Sequence, residues 1–234
     1  MKVWSGTSGF AYKEWRGSFY PDNAKPDDFL RHYAGALEAV EINSTFYRMP
    51  RASVLEGWAA MVPDQFRFVL KASRRITHQS RLEDAGDSVA YLWKQAEVLG
   101  QRLGPVLFQL PPNLRANHER LAAFTRALPQ GMRAAFEFRH DSWHDPRTHE
   151  ILGAGNHALC TADTDEDDGL LVPTASWGYA RLRRESYSPT ELAAWLTRFR
   201  DAGFAEVFCF FKHEDGAIGP EAARQIREIA AAEG

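Results

Sequence analysis

Eight short apolar runs, separated by segments with helical periodicity, constrain the fold of this chain more than any other feature. The runs are Val3–Ser8, Ala39–Ser44, Phe66–Ala72, Val106–Leu110, Ala134–Arg139, Ala158–Asp163, Gly178–Arg183 and Val207–Lys212. Repeated strand–helix alternation over 234 residues is typical of a (β/α)₈ barrel. A doubly wound open sheet is the main alternative, but it usually has fewer strands, and no GxGxxG motif follows the first run. We therefore predict an α/β protein with one (β/α)₈ TIM-type barrel domain over residues 1–234.

Helical spacing of apolar residues predicts the segments that cover the sheet. In Ser88–Leu99, for example, Val89, Leu92, Trp93 and Ala96 recur on one face. The predicted helices are Asp27–Leu37, Ser53–Met61, Ser88–Leu99, His118–Ala127, Pro146–Leu152, Pro189–Arg200 and Pro220–Ala232. Prolines at the starts of the last three fit the preference of helix first turns. Residues 16–21, 47–50 and 76–82 are expected to be extended loops.

Net charge, cysteine spacing and the lack of long apolar runs argue against a general nucleic-acid, zinc or membrane partner. The formal net charge of −3 gives no overall basic field of the kind that indicates nucleic-acid or membrane binding, although a local basic patch remains open. Cys160 and Cys209 lie in apolar runs without zinc-type spacing, so we interpret them as small buried hydrophobic residues. No signal-peptide core and no apolar run near ~18 residues is found, which predicts a cytoplasmic protein without a membrane partner. No motif indicates an organic cofactor, and the oligomeric state is left open.

Polar side chains lie at or near the carboxyl end of every predicted strand. In strand two, Glu41 and Asn43 alternate with Val40 and Ile42. The other strands contribute Ser5, Thr7, Lys71, Gln109, Glu137, Arg139, Thr161, Asp163, Tyr179, Arg181, Arg183, Lys212 and His213. One face of a barrel strand packs on the helices and the other fills the interior, so we expect these residues to point into a shared mouth. Because an unpaired buried polar group costs roughly 2–7 kcal/mol, the pattern predicts a ligand site at the face where barrel enzymes hold their active sites.

Three residues are candidates for chemistry. Glu41 and Glu137 are two inward carboxylates of the kind that act as general acid and base. The alternative is that they pair with Lys71, Arg139 or Arg181 in a structural network. Lys71 is able in principle to form a Schiff base in a desolvated pocket. We favour a charge-partner role for it, with the two carboxylates holding its pKa high.

A set of basic residues near the predicted strand ends indicates the chemical class of the ligand. Its members are Lys71, Arg74, Arg75, Arg139, Arg181 and Lys212, with His78, His140 and His213 nearby. Arginine presents a planar fork that suits phosphate or carboxylate, so an anionic small molecule is the favoured ligand. A nucleic-acid backbone contacted by the basic loop Arg74–Arg81 is the alternative, and solvated loop charge is the plain explanation for Arg74 and Arg75.

Further ligand contacts are predicted from polar residues near the strand ends. They are Thr7, Tyr12, Asn43, Tyr47, Gln109, Arg139, His140, Asp163, Arg181, Lys212 and His213. The aromatic residues Phe10, Tyr12, Trp15, Phe46, Tyr47 and Trp143 follow strands one, two and five, and they either stack on a ligand ring or pack the loops. The GTSG segment at residues 6–9 either cradles an anion with backbone N–H groups or forms a tight turn.

Metal binding is a minor alternative. Glu41, Glu137, Asp163, His140 and His213 are of metal-ligating types, but no HxH or HExxH spacing occurs. Positively charged neighbours would oppose a bound cation. We therefore predict no metal site, with a divalent metal kept as the less favoured possibility.

Several long motifs carry a family resemblance. They are GTSGFAYKEWRGSFYP, VEINSTFYRMP, FRFVLKASRRITH, LGPVLFQLPP, AFEFRHDSW and VFCFFKHE. Together they resemble the successive motifs of the YecE-like family, domain of unknown function 72, over nearly the whole chain. The resemblance implies a (β/α)₈ barrel, leaves the activity open, and implies a relationship to metal-barrel endonucleases as an alternative function. Many members end strand eight in an Asn-rich motif, whereas this chain has Lys212, His213 and Glu214.

Overall fold

Eight parallel strands close into a barrel, as the sequence predicts. The computed structural model describes residues 1–212 and 216–233. Its strands are β1 (Lys2–Ser8), β2 (Ala39–Ile42), β3 (Arg67–Lys71), β4 (Leu103–Gln109), β5 (Ala134–Glu137), β6 (Ala158–Ala162), β7 (Trp177–Leu182) and β8 (Glu206–Phe211). Each strand pairs with the next in chain order, and β8 pairs in parallel with β1. The (β/α)₈ architecture is therefore confirmed, and the open sheet is excluded.

Helices follow most of the strands. The described part of the chain contains α1 (Phe29–Ala36), α2 (Ala52–Ala60), α3 (Gly86–Ala96), α4 (His118–Arg126), α5 (Pro146–Ala154), α6 (Pro189–Asp201) and α7 (Ile218–Ala232). Every predicted helix is present, with bounds that differ by a few residues. The connection between β6 and β7, residues 163–176, is described throughout and contains no helix. Among the described helices, none has both the length and the apolar character needed to cross a membrane.

Local sequence signals fix the start of α6. Ser188 Oγ accepts a hydrogen bond from Glu191 N, and the Glu191 carboxylate accepts one from Ser188 N at 2.8 Å. Pro189 occupies the first helical turn, where its missing N–H costs nothing. The same logic applies to α5, where the Asp145 side chain caps the helix just before Pro146.

Each strand has two apolar faces, and their alternation places the polar residues of the mouth. The outer face, with Phe68, Phe108 and Phe136, packs in one cluster with the helices. A separate inner cluster contains Trp4, Val69, Leu107, Ala135, Cys160, Tyr179, Phe208 and Phe210. Because side chains alternate with period two, the inward residue that follows each inner apolar residue lies one layer nearer the mouth. In this way Glu41 follows Ala39, Lys71 follows Val69, Gln109 follows Leu107 and Glu137 follows Ala135.

Cation–aromatic contacts close the opposite, N-terminal end of the barrel. The Arg67 guanidinium lies 4.5 Å from the ring centroid of Trp4, and that of Arg133 lies 4.3 Å from Trp177. Glu206 binds both sides of this floor, accepting from Trp4 Nε1 at 2.6 Å and pairing with Arg133 at 2.9 Å. These contacts stabilise the N-terminal end, and the C-terminal end is the face where barrel enzymes hold their active sites.

The loop after β3 differs from the prediction. Residues 76–82 were expected to be extended, but Arg75–Gln79 form a π-helical turn closed by Ser80 N donating to Arg75 O at 2.9 Å. Ile76 is fully buried in the outer cluster, and a helical turn places its side chain there, where an extended loop was expected. Arg74 and Arg75 remain exposed on the outside of this turn.

Candidate functional site

Arg181 bridges two buried carboxylates at the C-terminal mouth of the barrel. Its Nη2 donates to Glu41 Oε1 at 2.9 Å, and its Nη1 donates to Glu137 Oε2 at 2.6 Å. These residues belong to β7, β2 and β5, so the bridge crosses the barrel interior. The planar guanidinium is suited to two carboxylates at once. The structure therefore brings together three residues that the sequence predicted to share the mouth.

Glu41 has its hydrogen-bonding capacity filled by the protein. Besides Arg181, its Oε1 accepts from Ser8 Oγ at 2.9 Å and Asn43 Nδ2 at 3.1 Å, and its Oε2 accepts from Tyr179 OH at 2.6 Å. Its relative exposure is 0%. Glu41 therefore anchors the network from within and has no free face for a ligand.

A second chain of contacts runs from Glu137 across β4 to β3. Gln109 Nε2 donates to Glu137 Oε1 at 2.7 Å, and Lys71 Nζ donates to Gln109 Oε1 at 2.7 Å. Arg139 Nε also donates to Glu137 Oε1, at 3.0 Å. The side chain of Arg139 is 50% exposed, so its guanidinium reaches from the buried network to the surface.

Lys71 differs from the expectation in its partners and its pKa. Its amino group lies 4.4 Å from the ring centroid of Phe46, and in the described part of the chain it forms no ion pair with a carboxylate. Burial, followed by the charge of Arg181, lowers its pKa from 10.5 to about 8, although Glu41 and Glu137 act in the opposite direction. The prediction that the two carboxylates keep this pKa high is therefore wrong, because desolvation outweighs them.

The two carboxylates remain ionised at neutral pH. Burial favours the neutral acid and would raise both pKa values. Burial is the largest single effect at both positions, but Arg181, further arginines (Arg183 at Glu41, Arg139 at Glu137) and hydrogen bonds together outweigh it, and each pKa falls from 4.5 to about 2. The structure thus realises the pairing with Arg139 and Arg181 that the sequence offered as the alternative to acid–base chemistry.

Cations outnumber carboxylates within this network. Four basic side chains, Lys71, Arg139, Arg181 and Arg183, accompany the two carboxylates Glu41 and Glu137. Arg183 contributes through an Nη2 that lies 3.6 Å from Glu41 Oε1. In the described residues, Arg183 Nη2, Arg181 Nε and Asn43 Oδ1 are buried without a hydrogen-bond partner. Buried polar atoms are rarely left unpaired, so the mouth has unused binding capacity.

An open cavity of about 370 Å³ borders the network on the side of β5, β6 and β7. Among its lining residues are Glu137, Arg139, His144, Cys160, Asp163, Asp167, Arg181 and Arg183. Its volume falls in the range of small-molecule sites. The network is therefore gathered at the mouth and opens onto space that a small molecule fits.

A larger cleft on the outside of the barrel lacks this chemistry. It has a volume of about 480 Å³ and lies along α3 and α4. Its single arginine, Arg120, is paired with Glu83 at 2.9 Å. We therefore place the candidate site at the mouth.

Strand β1 presents the opposite face from the one predicted. Ser5 Oγ donates to Ala223 O in α7 at 2.6 Å, and Thr7 Oγ1 lies 2.9 Å from Tyr33 OH in α1. Both side chains thus belong to the helical layer, and the inward orientation predicted for Ser5 and Thr7 is wrong. Ser8 points inward instead, because Trp4 in the inner cluster sets the phase of the strand.

Asp163 also faces away from the barrel interior. Its carboxylate accepts from Arg183 N and from Tyr187 OH at 2.7 Å, and it lies 3.3 Å from Arg184 Nε. Thr161, in phase with it, donates to Leu170 O. The inward orientation predicted for Asp163 is therefore wrong, and its carboxylate instead ties the end of β6 to the segment that follows β7.

Two tyrosines and a histidine stand around the mouth. Tyr12 OH donates to Ser8 O at 2.6 Å, and burial, with Glu41 next, raises its pKa to about 12. Tyr47 is 73% exposed at the rim. His140 Nδ1 accepts from Ser142 N and so caps the short turn after β5.

The remaining predictions concern loops and the end of β8. Trp15 and Trp143 are buried and pack the loops rather than forming a ligand wall. In the GTSG segment, Gly9 has φ +102° and a Cβ on Gly6 would lie 1.8 Å from Ala39 O, so the motif provides a turn and a close strand approach. Lys212 directly follows β8 and is half-buried, whereas His213 lies outside the described residues.

Tyr179, Arg183 and Ser8 complete the network beyond the predicted ligand contacts. Tyr179 and Arg183 share the inward phase of Arg181 in β7, and that period-two signal is sufficient to find them. Ser8 is recognised as a network residue only when the inward face of β1 is known, and the polar residues of β1 alone do not identify that face.

The described residues provide no ligand set for the less favoured metal alternative. No group of three or more His, Cys, Asp or Glu side chains able to hold a metal ion is found among them. The two inward carboxylates are instead occupied by arginine.

A closed barrel of eight parallel strands with an arginine-rich mouth makes this chain a (β/α)₈-barrel protein. Residues 4–234 match the model of the family described as protein of unknown function DUF72. The chain belongs to this family, and the resemblance seen in its motifs is confirmed.

Similar proteins extend this result. The UPF0759 protein YunF of Bacillus subtilis is 29% identical, over 91% of this chain and 90% of that protein. The UPF0759 protein YecE of Escherichia coli K12 is 31% identical, over 47% of this chain and 41% of that protein. This chain superposes on the crystal structure of a DUF72 family protein from Thermotoga maritima with a TM-score of 0.86 and 25% identity. The match covers 99% of this chain and 100% of the Thermotoga protein.

Proposed function

We propose that this protein is an enzyme that binds a small anionic molecule, bearing phosphate or carboxylate, at the mouth of the barrel. The observation that carries the proposal is the ratio of four cations to two carboxylates in one connected network. Arg181 is buried and Lys71 and Arg183 are partly buried, and an excess of charge that is partly withdrawn from water is costly unless a partner compensates it. An anion in the adjoining cavity would supply that compensation.

Arg139 and Arg183 are the ligand-binding residues in this proposal. Both line the cavity of about 370 Å³. Arg139 uses its Nε for Glu137 and extends its guanidinium toward solvent, while Arg183 Nη2 has no hydrogen-bond partner among the described residues. Two guanidinium groups at one cavity match the oxygens of a carboxylate or a phosphate.

Glu41 and Glu137 have different roles here. Glu41 is completely buried and positions Arg181. Glu137 lines the cavity, so it is the carboxylate able to exchange a proton with a ligand. A carboxylate with a pKa of about 2 is a weak base at neutral pH. A ligand that draws Arg139 away from Glu137 would raise that pKa and strengthen the base.

Calorimetric titration with inorganic phosphate, glycerol 3-phosphate and glyoxylate tests the proposal. We expect at least one of these anions to bind, and Arg139→Gln and Arg183→Gln each to weaken the affinity about tenfold or more. Arg126→Gln removes an exposed arginine at the end of α4 and is the matched control, with unchanged affinity. Absence of binding, or equal affinity in all three variants, would contradict the proposal. Tight, steeply salt-dependent binding of an oligonucleotide in place of these anions would favour the nucleic-acid alternative.

A further inference from the structure

We propose that Lys71 is a nucleophile that forms a Schiff base with an anionic carbonyl compound held at the mouth. The inference rests on the proposed function, because the arginines of the mouth must first bind the anionic group of that compound. It adds the class of substrate, a 2-oxo acid or a phosphorylated aldehyde or ketone, and the covalent step.

The surroundings of the Lys71 amino group support this role. Nζ is held between Gln109 Oε1, at 2.7 Å, and the face of Phe46, at 4.4 Å from the ring centroid. The two carboxylates closest in the network are instead bound to arginine. A neutral amine keeps the hydrogen bond to Gln109 as a donor, so deprotonation leaves the side chain in place.

Burial is the main effect that favours the neutral amine of Lys71. Arg181 and Arg139 also disfavour its protonated form, while Glu41 and Glu137 favour that form. The resulting pKa of about 8 leaves a substantial neutral fraction near neutral pH. A desolvated lysine beside another cation is the arrangement by which proteins activate an amine for carbonyl chemistry.

Four other lysines lack this environment. Lys13, Lys25 and Lys94 are exposed, and Lys2 is paired with Glu38 at 2.7 Å. Lys71 is also linked to Arg139 through the network, because Lys71 donates to Gln109, which donates to Glu137 Oε1, and Arg139 Nε donates to the same oxygen. In this proposal, an anion bound by Arg139 places its carbonyl group toward Lys71.

The chemical step needs no oxidant or reductant. The lone pair of the neutral Nζ attacks the carbonyl carbon, a C–N bond forms, and the carbonyl oxygen takes up the proton that nitrogen loses. A second proton, taken from solvent, then lets the carbinolamine expel this oxygen as water, and the nitrogen keeps its remaining proton in a protonated C=N bond to Lys71. The positive charge on that nitrogen draws electrons from the neighbouring carbon, which is the chemistry a Schiff base supplies.

Reductive trapping with glyoxylate tests the proposal. The protein is incubated with glyoxylate and sodium cyanoborohydride, and peptide mass spectrometry locates the carboxymethyl group. We expect Lys71 to be labelled at least about tenfold faster than any other lysine. Lys94→Arg is the matched control, because it removes an exposed lysine of α3, and it should keep the label on Lys71. Acetaldehyde, which lacks the anionic group, should lose the preference for Lys71.

The outcomes separate this inference from the proposed function. If Lys71→Arg still binds glyoxylate by calorimetry but the wild type is labelled evenly over its lysines, the nucleophile role is overturned and anion binding stands. If the wild type neither binds anions nor labels selectively, both fail. Selective labelling of Lys71 that Arg139→Gln abolishes supports both.

Discussion

Arg181 and Glu137 form an ion pair with Nη1 2.6 Å from Oε2, and the other end of the same guanidinium binds Glu41. One arginine of β7 therefore pairs with carboxylates on both β2 and β5 inside the barrel. Both acids share this cation, which links the stability of the fold to the charge of the mouth.

Removing Arg181 should destabilise the protein strongly. Arg181→Met leaves two buried carboxylates with reduced compensation, and breaking a buried pair in this way costs about 3–5 kcal/mol. Urea denaturation at neutral pH measures the free energy of unfolding. Arg147→Met, which breaks the exposed pair with Glu150 at 2.9 Å, should cost less than about 1 kcal/mol. Equal losses in the two variants would show that the buried bridge does not stabilise the barrel.

Stability should fall in acid through Glu41 and Glu137. Their folded-state pKa of about 2 lies below the ordinary value of 4.5, so the fold favours their ionised forms. This contribution, on the order of 3 kcal/mol for each, is fully present above about pH 4.5 and is lost as the pH falls toward about 2. Glu137→Gln should lose less stability than the wild type between about pH 6 and about pH 3 in urea titrations. Identical acid profiles for the two proteins would contradict this assignment.

The pKa of Lys71 should respond to its neighbours in opposite directions. Glu137→Gln removes a charge that favours the ammonium, so the pKa should fall below about 8, whereas Arg139→Gln removes an opposing charge and should raise it. Titration of ¹³C-methylated lysines by NMR measures both shifts, with Lys71→Arg assigning the resonance. Shifts of the same sign in both variants would show that these charges do not face Lys71.

The floor of the barrel should affect stability without affecting the mouth. Glu206→Gln weakens the pair with Arg133 while an oxygen acceptor remains for Trp4 Nε1. We expect a loss of about 1–2 kcal/mol in the free energy of unfolding and unchanged anion affinity. A weakened anion affinity in this variant would mean that the two ends of the barrel are coupled.

Sequence periodicity predicts the barrel and much of the mouth. The eight strand runs and their alternation place Glu41, Glu137 and Arg181 on one face, and the structure joins these three residues directly. The inference succeeds because inward phase follows from apolar neighbours such as Val40 and Ile42, which belong on the outer face.

The face of a strand on which a polar residue lies is less reliably predicted from the sequence. Polar residues in β1 and at the end of β6 satisfy the helical layer or a loop, as Thr7 does with Tyr33 and Asp163 with Tyr187. A polar residue alone does not reveal its face when its partner is distant in sequence. The pKa of Lys71 is likewise set by burial and by the placement of Arg181, which only the closed barrel defines.

A high-resolution electron density map of the protein, purified without added ligand and then soaked with glycerol 3-phosphate, tests the central claim most directly. We predict an anion in the cavity beside β5–β7, with its oxygens within hydrogen-bond distance of Arg139 and Arg183. A cavity that stays without the anion, while Arg139 and Arg183 turn to acidic side chains of the protein, would contradict the claim that the mouth is built to bind one.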